Sequence, residues 1–209
     1  MNEIFFLTEP QFQILVWLSY RIAATFAFGL PLFLLIWAKI SNSSAIDRLL
    51  SIYWKVSSLY AINLLFLSGE SQLGQSISFI APTIMVGSIW FWVDLNEEID
   101  EMPIYKPISL TTRIWRWTLS FWAILNTGLH IFSWRCLNSV DRNYCDAWRE
   151  IPYNSFNTTK VIIKFVLDGN WTTGIATFFA YSALILYLIG LLQWLIIQFP
   201  KNGRFAGKF

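Results

Sequence analysis

The chain has 209 residues, of which 56% are hydrophobic and only 13% charged, and it carries 12 tryptophans. That is too apolar and too aromatic for a water-soluble domain of this length, so the sequence reads as an integral membrane protein. A formal charge of +2, with no basic run interleaved with aromatics, removes the usual grounds for binding nucleic acid.

The chain opens MNEIFFLTEP, which has no basic n-region and runs into an apolar stretch longer than a secretory h-region, so no cleaved leader is expected. A membrane-crossing helix needs about 20 mainly apolar residues. Five segments meet that requirement, near residues 14–38, 50–68, 77–93, 114–134 and 172–199. The expected fold is therefore all-α, a single bundle of about five transmembrane helices. Pro31 and Pro82 fall inside spans and predict kinks there.

Orientation follows from the basic flanks. Lys39, Arg48 and Lys55 flank the first connection, Lys106, Arg113 and Arg116 the third, and Lys201, Arg204 and Lys208 form the tail. All nine fall on one side if the N-terminus is outside, on the lumen-like face, and the C-terminus inside. The connection GESQLGQS has no basic residue, in keeping with an outer position.

Within the first span, Arg21 is an intramembrane charge near the outer end, where charge is usually paired or snorkelling. Glu70 is a candidate partner, and a solute path is the sharper reading of the same residue. Lys55 is placed to snorkel toward the inner face, and Asn63, Asn126 and Gln193 are placed to hydrogen-bond across helices.

The third span ends in WFWVDLNEEID, residues 90–100. Trp90 and Trp92 suit the inner aromatic belt, and Asp94 is the first residue beyond it. If one helix continues to Pro103, a step of about 100° per residue sets Asp94, Glu98 and Glu101 on one face and Leu95, Ile99 and Met102 on another. Carboxylates at that helix's C-terminus oppose its dipole, so Asp94, Glu97, Glu98 and Glu101 call for counter-charges. Arg113 and Arg116 are the nearest in sequence. The group is thus expected to be an inner clasp between the third and fourth helices, a docking ledge for another protein, or both. A metal site is not expected, because carboxylate-bridged metal bundles use Glu-x-x-His pairs and this chain has one histidine.

That histidine, His130, lies near the outer end of the fourth span. It is either an interfacial hydrogen-bonding residue or a ligand for the magnesium of a chlorophyll. The abundance of aromatics does not separate pigment binding from ordinary belts and packing. The outer loop 135–171 then holds the two cysteines, Cys136 and Cys145, with eight residues between them. On an oxidising side they are expected to form a disulfide, contributing on the order of 2 to 3 kcal/mol. Later in the loop, NTTKVIIKFVLDGN reads as a short amphipathic helix, capped by Asn157 or Thr158 and ended by Gly169. It either lies on the membrane surface or offers a docking face.

WFWVDLNEEID, with LSYR at 18–21, AIDRLLSIYWKVSSLY at 45–60, RIWRW at 113–117 and the Cys136/Cys145 pair, resembles a family of small cyanobacterial membrane proteins known only as a domain of unknown function. The resemblance implies a thylakoid-type membrane and a link to photosynthetic complexes. It implies no activity and assigns no functional residue. With no CxxC, HExxH, GxSxG or phosphate-binding glycine loop, the chain is not expected to be an enzyme. The expected function is a non-catalytic accessory, assembly or stabilising subunit of a larger membrane complex, such as a photosystem or its assembly intermediate, in contact with lipids and able to carry chlorophyll or carotenoid. The alternative is a small channel or transporter for an ion or solute, with Arg21 and Asn63 or Asn126 lining its path.

Overall fold

The structure is a computed structural model that describes residues 9–68, 72–132 and 172–202. Those residues form helices and short connections. The expected cysteine bridge, the amphipathic loop helix and Glu70 lie outside them.

The first long helix has three parts, α1 (Glu9–Ile22), a π-helical segment (Ala23–Gly29) and α2 (Leu30–Ile40). It is followed by α3 (Ser44–Ser68), α4 (Gln72–Trp90), the short α5 (Val93–Glu101), α6 (Pro107–Phe132) and α7 (Thr173–Asn202). Each expected span thus falls on a long helix. Four stretches are long and apolar enough to cross a membrane: Gln11–Ile40, Ser44–Leu67, Leu73–Trp90 and Thr173–Trp194. Four such helices mark an integral membrane protein. The remaining expected span corresponds to α6, which has 26 residues but carries Arg113, Arg116, Asn126 and His130, which lower its apolarity.

The π segment has a local cause. Pro31 has no N–H, so the carbonyl of Ala27 loses its helical donor. The N–H of Leu30 turns to the carbonyl of Thr25, one residue further back than α-helical geometry would take it, which leaves Phe26 O unserved as well. Both orphan carbonyls find donors on other helices. Tyr53 Oη donates to Ala27 O at 2.7 Å, and Trp115 Nε1 donates to Phe26 O at 2.8 Å. The two rings meet edge to face at 5.1 Å, and both residues are fully buried. A defect in one helix therefore ties three together. At Pro82, by contrast, α4 continues without interruption.

The turn from α2 to α3 uses Asn42, whose φ of 52° lies in the left-handed region that asparagine tolerates better than most residues. It closes with the N–H of Ser43 on Ala38 O at 3.0 Å. From there α3 runs as the hub, packed against α2, α4, α5 and α7. The start of α4 approaches it closely at Gly74, where an added Cβ would sit 3.0 Å from the backbone nitrogen of Leu67. Asn63 secures the same end, donating to Ser78 Oγ at 2.6 Å, which in turn donates to Gly74 O at 2.7 Å. On the other side α6 packs on α4, α2, the π segment and α1. The shared core runs from Ala23 to Leu34 of the first helix, through Leu49, Tyr53 and Met85, to Trp115 and Trp122.

Candidate functional site

The acidic run is a separate helix, not the continuation of α4. Trp92 adopts an extended backbone with φ −86° and ψ 107°, and its ring is buried against the core, with the Trp194 ring at 5.8 Å. Burying that indole turns the chain and starts α5 afresh. Asn96 stitches the break, since its Nδ2 donates to Trp90 O at 3.0 Å. The new helix is amphipathic as the 100° step predicts. Leu95 and Ile99 are fully buried, Met102 packs on the core, and Glu97, Asp100 and Glu101 are exposed. One expectation is corrected by the break. Asp94 stands in the first turn of α5, where a carboxylate favours the helix dipole, so only Asp100 and Glu101 at the other end oppose it.

Three arginines hold α5 to the bundle. Arg48, from the start of α3, forms an ion pair with Glu98, whose side chain stays 44% exposed. Arg113 works beside it, on the C-terminal end of α5. Met102 precedes Pro103, which disfavours helical geometry and stops the helix there. Arg113 Nη2 then donates to the carbonyls of Ile99 at 3.0 Å, Asp100 at 2.8 Å and Met102 at 3.1 Å. A guanidinium satisfying three terminal carbonyls is a C-cap from another helix, and its charge suits the dipole. Arg116 is buried, donates to Asn96 Oδ1 at 2.6 Å and lies 4.1 Å over the Trp90 ring. Trp90 Nε1 in turn donates to Ser120 Oγ at 2.9 Å.

The structure therefore brings Arg113 and Arg116 to α5, as the sequence pattern predicts, but onto carbonyls and an amide rather than carboxylates. The partner of Glu98 is Arg48, which sequence reasoning used only as a marker of orientation. A contact across 50 residues leaves no local pattern to read. Among the described residues no group of three His, Cys, Asp or Glu is placed to hold a metal.

The other singled-out residues are scattered. Arg21 is exposed, with its guanidinium 3.3 Å over the ring of Trp17 one turn earlier. His130 is buried on α6, one turn beyond Asn126. Asn126 joins α6 to α1, accepting from Ser19 Oγ at 2.7 Å, and Trp122 Nε1 donates to the same hydroxyl at 3.2 Å. Gln193 is exposed on α7. Arg21 lies on α1, His130 on α6 and the acids on α5.

Comparison with known families matches residues 13–207 to a family described as protein of unknown function, DUF3177. The chain belongs to that family. The match takes in every helix of the bundle from α1 onward, and so includes the α5 edge and its three arginines. No curated protein and no solved structure matches the chain.

Proposed function

We propose that this protein is a non-catalytic accessory, assembly or stabilising subunit of a larger membrane complex, which it meets through the acidic face of α5. One observation carries the reading. Glu97, Asp100 and Glu101 stay exposed on a short helix whose other face is locked into the core by Leu95 and Ile99 and whose C-terminal half is fastened by Arg48 and Arg113. A rigid, charged ledge outside the apolar bundle suits recognition of a basic surface on another protein. In this reading α6 is the fifth span, the N-terminus is outside, and α5 lies on the inner face. The convergence of Arg48 and Arg113 on α5 supports counting the basic flanks on one side. The family resemblance supports a thylakoid-type membrane and a photosynthetic complex as the setting, with His130 as the residue to test for a pigment.

The competing reading is a channel with Arg21, Asn63 or Asn126 on its path. It draws less support, because Arg21 stacks on Trp17 and the two asparagines bond Ser78 and Ser19 between helices. The test is to tag the chain, solubilise its native membrane in mild detergent and resolve it on a native gel, with absorption spectra and mass spectrometry of each band. Co-migration with a defined complex is expected. Migration as a single chain, together with solute flux in liposomes that Arg21→Ala abolishes, would replace this reading with the channel.

A further inference from the structure

The first helix carries a charge on its exposed face that none of the described residues answers. Arg21 is exposed, and its guanidinium lies 3.3 Å over the ring of Trp17, itself 45% exposed. Among the described residues no oxygen accepts a hydrogen bond from that side chain and no carboxylate pairs with it. Stacking covers only a face of the guanidinium, while its five N–H groups radiate in its plane. The arrangement is a donor fork, held flat by an indole, without its acceptor.

The position of Arg21 along the helix sets where that acceptor lies. The apolar stretch Gln11–Ile40 has 30 residues, more than the roughly 20 that the hydrocarbon core needs, so part of it stands at the headgroups. Lys39 is the next charged residue after Arg21, eighteen positions on. At about 1.5 Å per residue the two are at most about 27 Å apart, against a core of about 30 Å. Leu32, Phe33 and Ile36 are exposed between them, as lipid-facing residues are. Arg21 and Lys39 therefore mark the two edges of the core. Helical side chains lean toward the N-terminus, and Arg21 does so by stacking on Trp17, one turn earlier. Guanidinium and indole thus share the level of the headgroups at the N-terminal end of the helix, a level that tryptophan favours.

The planar fork matches a pair of oxygens on one oxyanion. At headgroup level the abundant oxyanion is the lipid phosphodiester, and a headgroup with no ammonium of its own leaves that phosphate free to accept. We propose that Arg21 and Trp17 form a headgroup site for an anionic phospholipid, whose phosphate accepts from the guanidinium while the indole holds the guanidinium's face. The site is on the lipid side of α1, apart from the α5 ledge, and does not depend on the accessory reading.

The test uses the full chain, purified in mild detergent, stripped of lipid and titrated with equal parts of phosphatidylglycerol and phosphatidylcholine, with bound lipid counted by native mass spectrometry. The first lipid retained is expected to be phosphatidylglycerol, preferred by about tenfold, the size of one charge-assisted contact. Arg21→Gln should melt like the wild type, because the side chain is exposed, and should bring the two lipids close to parity. Arg21→Lys keeps the charge without the fork and should keep only part of the preference. Trp17→Leu should lower phosphatidylglycerol retention by about threefold, since the guanidinium loses its support. Lys39→Gln removes an exposed charge at the other end of the same span and should leave the preference as it was. Equal retention of the two lipids by the wild type, a preference unchanged in Arg21→Gln, an equal loss in Lys39→Gln, or release of the lipid by millimolar inorganic phosphate would each overturn the proposal.

Discussion

Two of the breaks in helical geometry among the described residues are repaired in different ways. In the π segment the break is deep in the bundle, and the freed carbonyls of Phe26 and Ala27 are met by aromatic donors, Trp115 and Tyr53, which are themselves buried. At the end of α4 the break is at the rim, and the repair uses the long polar side chains of Asn96, Arg113 and Arg116. The difference follows from solvation. In an apolar interior the least costly donor is one carried on a large hydrophobic ring, whereas at an edge a guanidinium can serve several carbonyls and keep part of its charge near water. The first repair fastens helices to each other. The second fixes a small helix so that its acidic face points away from the bundle.

That contrast is open to direct attack. The largest effect is expected from Arg113→Met, which leaves three carbonyls at the end of α5 without their charged donor. A loss of about 2 to 3 kcal/mol is expected, read as a lower melting temperature in detergent and as faster proteolysis between residues 91 and 103. Trp115→Phe keeps an aromatic ring but removes the donor to Phe26 O, and Tyr53→Phe does the same for Ala27 O. Each should cost about 1 to 2 kcal/mol and leave proteolysis of α5 unchanged, which separates the two repairs. A still smaller change, about 0 to 1 kcal/mol, is expected for Glu98→Gln, because the pair with Arg48 is partly exposed. That loss should shrink further in high salt. Glu97→Lys should alter stability by less than about 0.5 kcal/mol, since Glu97 is exposed, and should act on partner association alone.

How much of this was legible in the sequence depends on the range of the interaction. Hydropathy is a property of contiguous residues, so the long helices emerge from it although their starts do not, with 50 expected against Ser44 and 114 against Pro107. The reading 50–68 lies within Ser44–Ser68, whereas 77–93 overlaps Gln72–Trp90 and runs past its end to the first residue of α5. The buried face of α5 was also legible, because the spacing of Leu95, Ile99 and Met102 is a helical period. The break before it was not, since neither Gly nor Pro marks residues 91 and 92. Burial of Trp92 decides it, and tertiary packing leaves no signature in a local window. Pro31 announced a disturbance, but its remedy lies 26 residues from Ala27 in Tyr53 and 89 residues from Phe26 in Trp115. Arg113 and Arg116 were found by proximity and charge, yet their acceptors are not carboxylates. The exposed acids of α5 stay in water, while the helix end offers three carbonyls within reach of one guanidinium.

The central claim is that the outward face of α5 is a docking ledge, and it is best tested by reversing Glu97 and Glu101 together to lysine. Neither takes part in the bonds from Arg48, Arg113 or Arg116. The variant should therefore insert and melt like the wild type. On a native gel of mildly solubilised membrane, the wild type should run with a larger complex and the charge-reversed chain alone. If the folded variant runs with the same complex as the wild type, α5 is not the ledge and the acids are no more than its solvated face.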